Sequence, residues 1–415
     1  MIVQKIDMSV IVTVYNIENY IADCIESILK EDRISIELIL VDDTSYDRSY
    51  DICMDYASRD ERVKVIRNEV NRGITSSRNV GLKVSTGEYI YIMDGDDVLK
   101  DDALYKMYRL CKKENLDLLE FSAEVFYDNV DGRKFAGEND YKRTKLCNQI
   151  LNGTDLFIKL FDAGETVRWS ACLHCYKGTL LREKELYYVE GLRYADGSEF
   201  HLYMAAKRAM CISDILYRRR VRENSQITSK VKIHYLESLI VLFVEEMRLW
   251  NGYGFSNEIN CGIEKYFRLR HREILDMYQQ LREYKGATPI LDKWPSAKYF
   301  YNHIVKQIPV CIDKFSKEEE KKMYQAKAIY VYGAGFMATE VAKVLDYKGF
   351  DYKCVVTNKN SSKDSFNGRE ILSIDEVNFE DGDLVIVSLS QIHHKAIVEI
   401  LLNKKCDNYL LFSCL

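Results

Sequence analysis

The chain opens with apolar runs that stop abruptly at polar residues. Ser9–Val14 (SVIVTV) has the unbroken apolar pattern of a strand buried on both faces, and it breaks at Tyr15-Asn16. Over residues 17–31, Tyr20, Ile21, Cys24, Ile25, Ile28 and Leu29 fall on one side of a 3.6-residue period, which predicts an amphipathic helix. Leu38–Val41 predicts a second strand running into Asp42-Asp43-Thr44-Ser45, residues 47–58 a helix, and Val63–Ile66 a third strand. After the loop Asn71-Arg72-Gly73, a helix is expected through Ser77, Arg78, Asn79 and Leu82. Tyr89–Met93 is then a short strand-forming run that passes straight into Asp94-Gly95-Asp96-Asp97. Alternating strands and helices predict an α/β fold with a mostly parallel sheet and right-handed crossovers.

Three of these strands end in polar residues: Thr13 to Asn16, Asp42-Asp43, and Asp94 to Asp97. Ligands of open α/β sheets sit outside the carboxyl ends of the strands, so that edge is the candidate crevice. Clustered carboxylates repel unless a cation neutralises them, and a hard divalent ion with oxygen ligands does so while leaving positions for water or phosphate. Taken alone, Asp94–Asp97 reads equally well as a solvated acidic turn.

Further along, 101–115 predicts a helix with Leu104, Met107, Tyr108 and Cys111 inward. Leu116–Phe126 predicts a strand, and 128–148 a polar loop or hairpin. Residues 230–325 change character: long amphipathic stretches (Ile233–Trp250, Ile259–Tyr284) and all three prolines point to a helical linker or small bundle. From Ala326 a second α/β unit begins. Strands are expected at Ala328–Tyr332, Tyr352–Val356 and Leu384–Ser388, and Gly333-Ala-Gly-Phe-Met-Ala338 opens a helix in the manner of a dinucleotide-binding turn. The acidic residue which that pattern places after the second strand is replaced by Thr357-Asn358, so a structural or assembly role is favoured over redox chemistry. The expected division is 1–229, 230–325 and 326–415.

Composition narrows the function classes. A net charge of −5 argues against general nucleic-acid binding. Twelve cysteines, of which only Cys172 and Cys175 stand at CxxC spacing, read as reduced thiols of a cytosolic protein. The N-terminus is too short and polar for a signal peptide, and Leu239–Val244 is too short to span a bilayer, so membrane contact is expected to be peripheral at most.

Four blocks in order, SVIVTVYNIENYIADCIESI, LILVDDTSYDRS, NRGITSSRNVGLKVSTGEYIYIMDGDD and RRRVRENSQIT, resemble the family 2 glycosyltransferases of the GT-A fold over about residues 7–228. The resemblance implies an inverting transfer from a nucleotide-sugar, most often a UDP-sugar, to a saccharide or lipid-linked acceptor at the inner membrane face. It implies that Asp42 or Asp43 binds the base, that Thr13, Tyr15 and Glu18 line the base and ribose pocket, and that Arg78 approaches the diphosphate or holds the loop. Asp94 is placed near the ribose, and Asp96, with Asp94, at Mn²⁺ or Mg²⁺. Arg220 and Arg222, planar donors suited to phosphate, fall near the diphosphate. Trp169 is a candidate to stack under an acceptor sugar, with a core role equally open, whereas His174 reads as structural. In Gly191-Leu-Arg-Tyr-Ala-Asp-Gly-Ser-Glu-Phe200 the family's Glu-Asp is replaced by Ala195-Asp196, and Phe200 lies four rather than three residues on. Asp196 is the expected general base, and Glu199 the alternative if the register has shifted. Asp196 as a helix cap with Glu199 three residues later remains the bland reading. Rival functions are transfer from a CDP-alditol or GDP-sugar, an inactive sugar-nucleotide-binding scaffold, and a dinucleotide-dependent oxidoreductase centred on Gly333–Ala338. A homo-oligomer is compatible with all of them.

Overall fold

The computed structural model describes residues 5–128, 141–163, 170–193, 199–222, 232–281, 284, 286–305, 315–334, 336–357, 365–366, 368–389 and 391–412. Its contacts gather the chain into two compact units, Met1–Lys298 and Tyr299–Leu415.

In the first unit the expected elements form in order: β1 (Met8–Val14), α1 (Ile21–Leu29), β2 (Ile36–Asp42), α2 (Ser49–Arg59), β3 (Val63–Arg67), α3 (Ile74–Val84) and β4 (Tyr89–Asp94). The two-residue strand β5 (Val98–Leu99) precedes α4 (Ala103–Glu114) and β6 (Leu118–Asp128). Then come β7 (Ile150–Leu151), α5 (Gly153–Asp162), β8 (His174–Lys177), α6 (Gly178–Glu183), α7 (Phe200–Ala205), β9 (Ala209–Arg222), α8 (Ile233–Tyr253) and α9 (Asn257–Gln280). The sheet runs β3-β2-β1-β4-β8-β6-β9-β5, with β7 on β9. β3, β2, β1 and β4 are parallel; β8 is antiparallel to both its neighbours, so the sheet is parallel on one side and mixed on the other.

β1 and β2 are central and covered on both faces, which is why their sequences are continuous apolar runs rather than alternating ones. Ile21, Cys24, Ile25 and Ile28 of α1 are buried in the core beside them. On the other face α3 approaches β1 closely: a Cβ on Gly81 would stand 2.3 Å from Ile11 Cγ2, so only glycine fits there. Glu37 is buried within β2 because Ser9 Oγ, the Thr86 amide and hydroxyl and Lys64 Nζ all reach its carboxylate.

In the second unit the end of α10 (Pro295–Phe300) and a turn of π-helix at Tyr301–Val305 precede α11 (Lys317–Gln325). An α/β layer follows: β10 (Ile329–Tyr332), α12 (Phe336–Lys348), β11 (Lys353–Val356), β12 (Ser365–Phe366), β13 (Arg369–Ser373), β14 (Leu384–Val387), α13 (Gln391–Asn403) and β15 (Tyr409–Leu411). The order is β12-β13-β11-β10-β14-β15, parallel except for β12. β12, β13 and β15 are additions to the three strands read from sequence, each too short to show a period.

Candidate functional site

The parallel registers align the strand ends: Val14 lies opposite Asp42, and Thr13 opposite Asp94. The loops after β1 and β2 are tied together by reciprocal bonds. The Asn16 amide donates to Ser45 Oγ (3.1 Å) and the Tyr46 amide to Asn16 Oδ1 (3.0 Å). The Glu18 amide donates to Asp47 and the Arg48 amide to the Glu18 carboxylate. Glu18 thus joins two loops. The rings of Tyr15 (47% exposed) and Tyr46 (84%) stand at their tips, edge to face at 6.2 Å.

Beneath them Asp42 is buried, accepting from the Ser45 amide and paired with Arg67 Nε at 3.2 Å. Asp43 is buried too, accepting from Asn68 Nδ2 (2.8 Å), the Arg72 amide (2.8 Å) and the Gly73 amide (2.9 Å). A carboxylate offers about four lone-pair sites, so Asp43 keeps little capacity beyond the loop it organises. Replacing Asp43 with Ala should therefore weaken nucleotide binding more than it slows the chemical step. Unmade buried hydrogen bonds cost about 1–3 kcal/mol, or roughly 5- to 150-fold in affinity. Calorimetric titration with UDP checks this, and unchanged affinity places the nucleotide elsewhere.

The acidic turn after β4 is crowded. Asp94 (35% exposed) accepts from Arg78 Nη2 at 3.2 Å, and Asp96 (22% exposed) from Arg222 Nε at 2.9 Å. Asp97 turns inward to the Tyr217 hydroxyl and to the Arg220 amide at 2.6 Å. Burial raises the Asp96 carboxyl above its ordinary range and the charge of Asp94 adds to this, while Arg222 opposes it. Asp97 is raised further, by burial and then by the charges of Asp96 and Asp94. Burial works against the charge of Arg78, but Asp94, Tyr188, Cys172 and Glu199 more than offset it, so its guanidinium is held more firmly protonated than usual.

β9 meets this turn because β5, directly after Asp97, pairs with it at Arg218 and Tyr217. Arg218–Arg222 of the arginine block lie inside the 14-residue β9. Arg220 is a buried latch: it donates to the Asp96 carbonyl (2.8 Å), to Asp23 (2.8 Å) and to Asp128 (3.3 Å), and packs against Tyr20 and Phe126. Arg222 is the more exposed of the two.

No group of three or more His, Cys, Asp or Glu among the described residues is arranged to hold a metal alone. Mg²⁺ and similar ions need only one or two carboxylates when phosphate oxygens and waters complete the shell. Asp94 and Asp96 are the solvent-reaching members of a cluster whose own repulsion disfavours its charged form, and a cation relieves that repulsion. The donor set therefore fits a hard divalent ion.

Glu199 stands at the N-cap position of α7, where its side chain makes no capping hydrogen bond, and is fully buried. Tyr203 of the same helix donates to Glu120 at 2.6 Å, and His174 Nε2 meets the Tyr203 hydroxyl at 2.9 Å. Arg143 closes a fully buried ion pair with Glu120. Burial pushes His174 down to about 4, so it is neutral and structural.

With this geometry in view, the comparisons decide the family. The family model Glycosyl transferase family 2 matches residues 9–164. The uncharacterized glycosyltransferase EpsJ of Bacillus subtilis is 30% identical over 269 residues, spanning 64% of this chain and 75% of EpsJ. The chain is a family 2 glycosyltransferase. Glycosyltransferase GlyG of Streptococcus pneumoniae is 27% identical over 289 residues, covering 68% of this chain and 90% of GlyG. Among solved structures, S. aureus TarS 1–349 in complex with UDP-GlcNAc superposes with a TM-score of 0.50 at 19% identity over 84% of this chain and 93% of that one, showing the GT-A fold.

In this family 2 glycosyltransferase Thr13, Tyr15, Asp42, Asp43, Asp94 and Asp96 gather at one sheet edge, and Arg222 joins them through β9. Arg78 has a side chain only 4% exposed and pairs with Asp94. Asp196 and Trp169 lie outside the described residues, as do Asn358 and residues 223–228 of the arginine block. Sequence reasoning did not single out Asp23, Tyr46 or Tyr217, and gave Asp97 no role beyond membership of the acidic cluster. For Tyr46 a signal existed, a large aromatic inside a polar turn, whereas Tyr217 and Asp23 become visible only once β9 is placed.

Proposed function

We propose that the chain transfers a sugar with inversion from a UDP-sugar to a saccharide or lipid-linked saccharide in cell-surface glycan synthesis, with Mn²⁺ or Mg²⁺ held by Asp96 and Asp94. The observation that carries this is the convergence of the aromatic-tipped loops, the buried Asp42-Asp43 pair and the crowded Asp94–Asp97 turn at one strand edge of a family 2 chain. Relatives named for surface-polymer work support the polymer class: a poly(ribitol-phosphate) beta-glucosyltransferase of Bacillus spizizenii is 28% identical over 231 residues.

Tyr15 lies against the nucleobase, and Asp43 holds the loop that borders it. A divalent ion would supply Lewis-acid stabilisation of charge on the leaving diphosphate. Arg222 turns its guanidinium to the same phosphates. The acceptor hydroxyl attacks the anomeric carbon from the face opposite the diphosphate. The new C–O bond forms as the old one breaks, the bonding pair leaves with the diphosphate, and the hydroxyl proton passes to a carboxylate. Of Asp196 and Glu199, the complete burial of Glu199 favours Asp196 as that carboxylate. The lipid-linked acceptor of this reading puts the chain on the cytoplasmic side with at most peripheral membrane contact; among the described residues no helix is long and apolar enough to cross a membrane.

Thermal-shift screening of UDP-, GDP- and CDP-linked donors with Mn²⁺ tests the reading, because a ligand that binds only the folded state raises its melting temperature. UDP-sugars should give the largest rise and be turned over. A larger shift with a GDP-sugar or CDP-alditol transfers the reading to that donor, and binding without turnover favours the scaffold.

Transfer chemistry is assigned to 1–229, with 230–325 a helical segment and 326–415 a structural or assembly appendage, in self-association among other roles. Gly333 has a φ of +121° and could open a phosphate turn, yet Thr357 at the end of β11 is uncharged and already bonded to the Tyr332 hydroxyl. Fluorescence titration of the full chain with NADH should show no saturable change up to millimolar concentration. Micromolar binding assigns a dinucleotide site to this unit.

A further inference from the structure

α3 is unusual in what it buries. Thr75, Ser76, Ser77, Arg78 and Asn79 are five consecutive polar residues, all buried. Buried polar side chains need partners, and most of these partners lie more than a hundred residues away. Thr75 Oγ1 accepts from the Leu192 amide (3.1 Å) and donates to the Leu192 carbonyl (3.3 Å). Ser76 Oγ accepts from the Gly191 amide (2.9 Å). Asn79 takes both backbone groups of Tyr188: its Nδ2 donates to the carbonyl and its Oδ1 accepts from the amide, each at 2.8 Å. These side chains pair with 188–192 as a neighbouring strand would. The fit is tight, because a Cβ on Gly73, at φ +85°, would meet the Leu192 carbonyl at 2.6 Å.

The same element faces the donor. The amides of Arg72 and Gly73 are held by Asp43, Ser77 Oγ accepts from Asn68, and Arg78 pairs with Asp94. In sequence, residues 188–192 shortly precede Asp196 and Glu199. Glu199 stands at the start of α7, which Tyr203 anchors to Glu120 and His174.

We infer that Thr75, Ser76 and Asn79 are positioning residues that template the backbone entering the base-bearing stretch and set its place relative to the donor pocket. This rests on the reading that the base lies at Asp196 or Glu199. α3 is then a rigid two-sided spacer: its first turn is referenced to Asp43, and its buried polar face to 188–192. The function of these three polar residues is catalytic geometry in addition to cohesion.

The test compares Thr75→Val, Asn79→Leu and Thr75→Ser in the full chain. Three quantities are measured: UDP affinity by calorimetry with Mn²⁺, UDP release from UDP-glucose, UDP-galactose and UDP-GlcNAc, and amide exchange of 188–193. Thr75→Val and Asn79→Leu should keep UDP affinity while turnover falls about 100-fold, the scale for displacing a reacting group by about an ångström. Amides 188–193 should exchange faster. Thr75→Ser, which retains the hydroxyl, should recover most of the turnover. Unchanged turnover in both variants overturns the inference, as does an equal loss of UDP affinity and turnover, which marks a purely structural role. If the wild-type chain releases UDP from no donor, the donor reading fails instead. Amide exchange then decides alone, and unchanged exchange in Thr75→Val overturns the positioning role. If turnover survives both Asp196→Asn and Glu199→Gln, the base reading fails, distinguishably from the template.

Discussion

Asp96→Asn should abolish metal-dependent turnover and leave the fold intact. Under the proposed function, the substitution removes one charge from a carboxylate assigned to the ion, and with it stabilisation of the leaving diphosphate. Losing Lewis-acid stabilisation of several kcal/mol corresponds to roughly a thousandfold or more in rate, at about 1.4 kcal/mol per factor of ten. The fold should tolerate the change. Asp96 is partly exposed, and an asparagine oxygen can still accept from Arg222. Burial and the charge of Asp94 already disfavour the ionised carboxyl, so deleting that charge relieves repulsion, and the melting temperature should stay level or rise. Three measurements check this together: thermal melting by circular dichroism, Mn²⁺ binding by electron paramagnetic resonance, and turnover with and without EDTA. Full turnover of the unaltered chain after metal removal sinks the assignment, whatever the variant does.

The second large effect is expected at the base. Asp196→Asn should remove transfer while UDP and donor binding persist, since the base acts only on the acceptor hydroxyl. Loss of a positioned base typically costs about 10²–10⁴-fold in rate. Glu199→Gln should behave differently. Glu199 is fully buried, and its charge is one of those that hold Arg78 protonated. Neutralising it takes a counter-charge from a buried guanidinium, so the melting temperature should fall, with a smaller loss of turnover. Asp94 remains beside Arg78 at 3.2 Å, which limits the damage. The reverse result, a dead Glu199→Gln and an active Asp196→Asn, moves the base by three residues and makes the departure from the family's Glu-Asp a true shift of register.

These two predictions differ in how much of their basis the sequence carries. The acidic turn announces itself locally. Tyr89–Met93 is a buried strand because five apolar residues in a row can only be covered on both faces, and the carboxylates at its end follow from chain direction alone. β1, β2 and the inward face of α1 were legible for the same reason, as was the polar edge where their loops meet. Hydrophobic period reports which face of an element is buried, and family resemblance adds which edge binds the nucleotide.

Neither reports the partner of a polar side chain. Asp96 and Arg222 are 126 residues apart, Asn79 and Tyr188 are 109, and Glu120 meets Tyr203 across 83. The arginine block was read as a phosphate-facing stretch. It became part of a strand, with Arg220 turned into a latch, because β5 pairs there with β9. The polar stretch of α3 was read only as part of a helix, and the segment 188–192 supplies the partners that bury it. The sequence by itself determined the strands, the amphipathic helices and the acidic edge, since each depends on neighbours within a few residues. Tertiary structure alone decided which carboxylates of the acidic turn reach solvent, which arginines it pairs with them, and what holds the segment 188–192. Those depend on which distant backbone and side-chain groups close packing brings within hydrogen-bonding distance.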